Sequence, residues 1–129
     1  MPVDLNHTIV YCRDKGASAG FLAEILGLPA PSSFGPFAVV QLSNGVSLDF
    51  LEEGEVHPQH YAFLVGEDEF DQIHQRLVER SLPYWADPAQ RHAQEVNTKD
   101  GGRGLYWADP DGHLLEIITV PYGGWSDPG

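Results

Sequence analysis

Cysteine is nearly absent from this chain: a single one, Cys12, stands among 129 residues. No internal disulfide is open to it, so a packed core has to hold the fold, and the reducing cytoplasm is the expected compartment. On an apolar first strand, Cys12 reads as a small core residue. Basic residues are scarce as well, 7 Lys and Arg against 19 Asp and Glu, for a net charge of −12. Nucleic acid and anionic membrane surfaces are recognised through a basic footprint, and neither partner fits this balance. A highly anionic substrate fits poorly too, unless a cation sits in the site. Also missing are an apolar run long enough to span a bilayer and a basic-then-apolar signal segment at the N-terminus. What is present is a hydrophobic fraction of 42% in a length suited to one domain with a proper core.

Residues 4–12, DLNHTIVYC, alternate and are rich in β-formers, which predicts a strand. Asp14 is placed to cap a helix over about 15–26, with Ala17, Phe21, Ile25 and Leu28 at helical spacing and Gly27 and Pro29 to end it. Strands at 35–42 and 46–51 flank Asn44-Gly45, a strong hairpin signal. After a polar connector, 52–59, the pattern begins again. HYAFLV over 60–65 is a strand, and 67–81 a helix with Phe70, Ile73 and Leu77 inward. Leu82-Pro83 ends that helix, and 84–86 starts another strand. The polar stretch 87–102 is expected to hold a loop and an irregular strand. A Gly/Pro-rich tail, 121–129, need not be ordered.

The segment 104–118, GLYWADPDGHLLEII, reads as two strands joined by the turn Asp109-Pro110-Asp111-Gly112, where Pro second and Gly fourth suit type I. Its second strand carries Glu116 on one face with Leu114 and Ile118. A carboxylate on an apolar face is costly unless something pairs with it, whether Arg103, another cation or a metal. The halves also count out as a repeat. Pro29 lies 22 positions after His7, and Pro83 lies 23 after His60. Asp49 follows Gly45 by four residues, and Glu116 follows Gly112 by four. The class expected is α+β, with helices outside a curved sheet. If the halves pack about a pseudo-twofold axis, His7, Asp49, His60 and Glu116 converge from equivalent positions.

Imidazoles combined with carboxylates suit Fe(II), Mn(II), Zn(II) or Ni(II), and two histidines with one carboxylate make the facial arrangement of non-haem iron oxygenases. An ion held by three side chains keeps positions open. It can polarise a carbonyl, stabilise an enediolate, or bind a diolate together with dioxygen. Asp49 shares its strand face with Ser47. His57, His74, His92 and His113 read as surface residues.

LNHTIV, QHYAFLV and GLYWADPDGHLLEI resemble the vicinal oxygen chelate superfamily, over residues 4–120, with the Y-x3-P-x-G-x3-E segment as the most specific part. The resemblance implies paired βαβββ modules, about 4–52 and about 59–120, in a cupped open sheet around a metal site, and a homodimer. By position it puts metal ligands on His7, His60 and Glu116. Asp49 stands where glyoxalase I has a fourth ligand, a Glu. Tyr106 matches a tyrosine that resembles the second-sphere acid of extradiol dioxygenases and a substrate contact of fosfomycin-resistance enzymes. The run ITVPYGGWSDPG after Glu116 holds no Arg or Lys to clamp a phosphonate, and 46–50 holds no second-sphere His of the extradiol type. Bleomycin-binding members lack the metal triad. The expectation is therefore a metalloenzyme acting on a small oxygenated molecule that chelates the ion. Fe(II) or Mn(II) is placed ahead of Zn(II) and Ni(II). Ring-cleaving dioxygenation is placed ahead of a glyoxalase-type isomerase or lyase, and both ahead of a non-enzymatic binding or resistance protein. Tyr106 is the expected proton donor or substrate contact, and Asp49 a fourth ligand or base.

Overall fold

Two short sheets, each with one helix, make up the computed structural model, which describes residues 2–124. They belong to two compact units divided between His57 and Pro58. Unit one contains β1 (His7–Cys12), α1 (Lys15–Leu26), β2 (Ser32–Phe34), β3 (Phe37–Gln41) and β4 (Ser47–Glu52), with strand order β1-β4-β3-β2. β1 and β4 run parallel, and the other pairs antiparallel. Asp14 accepts the Ala17 N–H at 3.0 Å, satisfying one of the orphan donors at the start of α1. Gly27 ends the helix in the left-handed region at φ 71°, as its lack of Cβ allows.

α1 packs on β3 and β4 through Ser18, Ala19, Leu22, Ala23 and Ile25. The stripe differs from the expected one: Ala17 is exposed and Phe21 only half-buried. With small residues on several faces, helical spacing alone does not choose the side that packs. β2 was not legible either. Its three residues are all exposed, and only the ladder to β3 across Gly35-Pro36 makes them a strand. On β1, Val10 and Cys12 are buried while His7, Ile9 and Tyr11 point to the open face. The Cys12 thiol is a core group, donating to the Leu51 carbonyl at 3.5 Å.

Unit two contains β5 (His60–Leu64), α2 (Glu67–Glu79), β6 (Gly104–Ala108) and β7 (Leu114–Ile118), ordered β5-β7-β6 with β5 and β7 parallel. α2 buries Phe70, Ile73 and Leu77, as its spacing predicts. Arg103 ties it to the sheet, pairing with Glu67 at 2.7 Å and Asp71 at 2.8 Å while its guanidinium lies 4.3 Å from the Phe70 ring centre. The strand expected at 84–86 is reduced to isolated bridges, Trp85 to Tyr106 and to Ala93. The turn is as expected, with Gly112 donating to the Asp109 carbonyl at 3.0 Å and adopting φ +87°. The architecture is α+β, and the order β-α-β-β-β recurs with one strand of the second copy worn down to a bridge. Among the described residues no helix is long and apolar enough to cross a membrane. Of the expected tail, Tyr122–Gly124 forms a short 3₁₀ turn, and 125–129 lie outside the described residues.

Candidate metal centre

Parallel pairing of β5 with β7 sets His60 beside Leu114 and Ala62 beside Glu116. With a period of two, the His60 and Glu116 side chains emerge on one face of the sheet. His60 Nε2 lies 3.0 Å from Glu116 Oε1, and His60 Nδ1 lies 3.0 Å from the Leu114 carbonyl oxygen. A carbonyl only accepts, so Nδ1 carries the proton. In a neutral ring Nε2 then turns a lone pair toward a carboxylate oxygen. Two lone pairs at that distance need a cation between or beside them, a proton or a metal ion. Two donors each about 2.1 Å from an ion and at right angles stand about 3.0 Å apart, so the pair suits adjacent positions on an octahedral centre. The Glu116 side chain is 9% exposed and that of His60 48%, so the charge is held inside while the imidazole keeps an open flank.

Tyr106 sits directly across the ladder from Glu116. Its hydroxyl interacts electrostatically with the Glu116 carboxylate, and its ring stacks on His60 with centres 6.0 Å apart. Burial, and then the neighbouring Glu116 carboxylate, push the phenol well above its ordinary range. At neutral pH Tyr106 is therefore a protonated donor. Tyr106 and Glu116, without His60, border a cavity of about 40 Å³ in unit two, shared with Asn97, Lys99 and Tyr122.

Unit one repeats the register: His7 pairs with Ser47, and Ile9 with Asp49. His7 Nδ1 lies 2.7 Å from Asn6 Oδ1, so this exposed ring also keeps its proton on Nδ1 and presents Nε2. Asp49 does not turn to His7; its Oδ1 accepts the Ser47 hydroxyl at 2.8 Å. Both line an open groove of about 470 Å³ with Asn6, Ile9, Phe34 and Phe37. Thus unit two brings His60, Glu116 and Tyr106 together, and unit one holds His7 and Asp49 on one groove. Within neither unit, among the described residues, is a group of three His, Cys, Asp or Glu side chains gathered as a metal cage.

His57 and His92 are exposed, as expected. His113 is not a surface residue: it is 1% exposed, and its Nδ1 accepts the Gln59 N–H at 2.9 Å. His74 is half-buried, 2.8 Å from the Tyr84 hydroxyl. Asn6, Ser47 and His113 were missed as supporting groups. Their signal was adjacency, since Asn6 precedes His7, Ser47 shares Asp49's face, and His113 follows the turn glycine.

The chain is similar to the glutathione transferase FosA of Serratia marcescens, 30% identical over 120 residues that cover 88% of this chain and 78% of the relative. Among solved structures, oxidase ChaP-H1 matches with a TM-score of 0.92 at 64% identity, covering 95% of this chain and 100% of that one. Oxidase ChaP-H2 matches with a TM-score of 0.92 at 58% identity, covering 97% and 100%. No family profile matches the chain. The similarity runs through both units, whose repeated register is the structural counterpart of the motifs. The chain belongs to the vicinal oxygen chelate superfamily.

Proposed function

We propose that this protein is a divalent-metal-dependent enzyme that oxygenates, by ring cleavage or a related dioxygenation, a small molecule chelating the ion through neighbouring oxygens. The observation that carries the reading is the His60–Glu116 pair, whose facing lone pairs are set 3.0 Å apart by a ring already fixed at Nδ1. His60 and His7 offer Nε2, and Glu116 a buried charge; these are the proposed ligands, with Fe(II) or Mn(II) preferred. When bound, such an ion supplies Lewis acidity and, for iron, a path for electrons to dioxygen. Tyr106 holds a proton at its hydroxyl beside the Glu116 carboxylate, ready to donate to a substrate oxygen. Asp49 is a base or further ligand facing the groove of unit one. The name oxidase carried by both ChaP relatives supports this direction.

A glyoxalase-type isomerase or lyase is the second reading. It is favoured by Asp49, which holds in unit one the register position that Glu116 holds in unit two. The two are separated by metal content after anaerobic purification, followed by catechol-dependent oxygen uptake. Stoichiometric iron or manganese with uptake is expected; zinc or nickel without uptake turns the assignment to the isomerase branch. His60→Ala should abolish stoichiometric metal while unfolding stays cooperative, and unchanged metal content would refute the ligand set. The reading includes a homodimer, to be checked by sedimentation.

A further inference from the structure

His113 is among the largest fully buried side chains of the chain and lies three positions before Glu116, yet the chemistry above does not use it. Its place is set by the turn. Asp109 Oδ1 accepts the His113 N–H and the Asp111 N–H, both at 2.9 Å, and the Asp109 N–H donates to the His113 carbonyl at 3.0 Å. From there the ring accepts the Gln59 N–H at 2.9 Å, while the Gln59 carbonyl accepts the Leu114 N–H at 2.9 Å. Tyr61 packs edge-on against the ring, with centres 5.6 Å apart. The backbone of the residue just before His60 is thus held at both its N–H and its carbonyl, one by the His113 side chain and one by the strand. The Leu114 carbonyl, next along β7, is the acceptor that fixes His60 Nδ1.

Unit one shows the same turn without the clamp. Leu42 and Val46 exchange the bond that Asp109 and His113 exchange, at 2.8 Å, and the Asn6 carbonyl accepts the Ser47 N–H at 3.1 Å just as Gln59 does for Leu114. Val46 stands where His113 stands, and its side chain has no acceptor to offer. There the histidine turns to a neighbouring side chain, Asn6, instead of to the strand carbonyl. We infer that His113 is a positioning residue: by holding the Gln59 amide, it seats His60 over the Leu114 carbonyl, so that the ring presents Nε2 to the ion.

The inference rests on the metal reading, and its test separates the two. An Asn side-chain oxygen occupies about the place of a histidine Nδ1, whereas a Gln oxygen falls nearer Nε2. The measurement is the dissociation constant for Mn(II), by chelator competition, in the wild type, His113→Asn and His113→Gln. Nitrogen chemical shifts of the His60 ring are recorded on the metal-free proteins. Asn is expected to stay close to wild type. Gln is expected to weaken Mn(II) about tenfold or more, the scale seen when a group supporting a metal ligand is lost, and to mix the His60 tautomers. Equal affinities and equal tautomers for Asn and Gln would overturn the positioning role while leaving the metal site standing. If His60→Ala still binds Mn(II) like wild type, the metal reading fails instead, and the positioning role falls with it.

Discussion

Unit one and unit two place the same pair of groups at the same coordinates of the same ladder and obtain different things from them. In each, a histidine opens the first strand, and a carboxylate stands two residues beyond its partner on the parallel last strand. In unit two, Glu116 reaches His60, and Tyr106 faces it across the hairpin; in unit one, Asp49 is taken by Ser47, and Val39 stands in Tyr106's place. Register fixes where a side chain starts. One methylene of length and the polarity of adjacent residues fix which partner it finds.

The contrast can be broken most sharply at the carboxylates. Glu116→Gln should abolish stoichiometric metal binding, whereas Asp49→Asn should keep the metal and slow turnover. Equal metal loss in both would make Asp49 a ligand of the same rank. Metal analysis of the two purified variants decides. Tyr106→Phe should keep the metal yet lower turnover by about a hundredfold or more if its proton is used in the reaction, the range of general acid catalysis. A turnover like wild type would make the tyrosine a wall, the role Val39 has in the other unit.

The helices differ as the sites do. α1 begins on the Asp14 side chain, while α2 begins at Gly66 with no side-chain cap and Glu67, Asp68 and Glu69 in its first turn. Asp14→Ala is therefore expected to cost about 1 kcal/mol in denaturant unfolding, and a change near zero would mean the N-terminus of α1 finds another acceptor.

The smallest effect concerns Asp109, which unit one replaces by Leu42. Burial raises its pKa above the ordinary aspartate range despite the amides of His113 and Asp111. In the window between the ordinary value and the raised one, the folded state binds more protons than the unfolded state. Its ionisation therefore destabilises the fold progressively as pH rises through that window, and by a constant amount above it. Asp109→Asn keeps an acceptor for both amides and removes the ionisation. Its stability relative to wild type should grow across that window and then level; a difference flat with pH would contradict the burial argument.

Much of this was open to reading along the chain. The hairpin glycines, the strand period of two and the matching intervals after Gly45 and Gly112 located His7, Asp49, His60 and Glu116 on equivalent strands. Those are local signals: turn chemistry and alternation act over a few residues, so they survive without knowledge of neighbours. The inward side of α1, the strand Ser32–Phe34 and the burial of His113 were not legible. Each depends on which distant backbone arrives: a sheet to choose among the small faces of α1, β3 to pair three exposed residues, and the start of β5 to cover a turn exit. By itself the sequence determined the repeat and the candidate donors. Only the tertiary structure decided their tautomers and partners, because a ring's proton goes to whichever acceptor the ladder sets within about 3 Å of it.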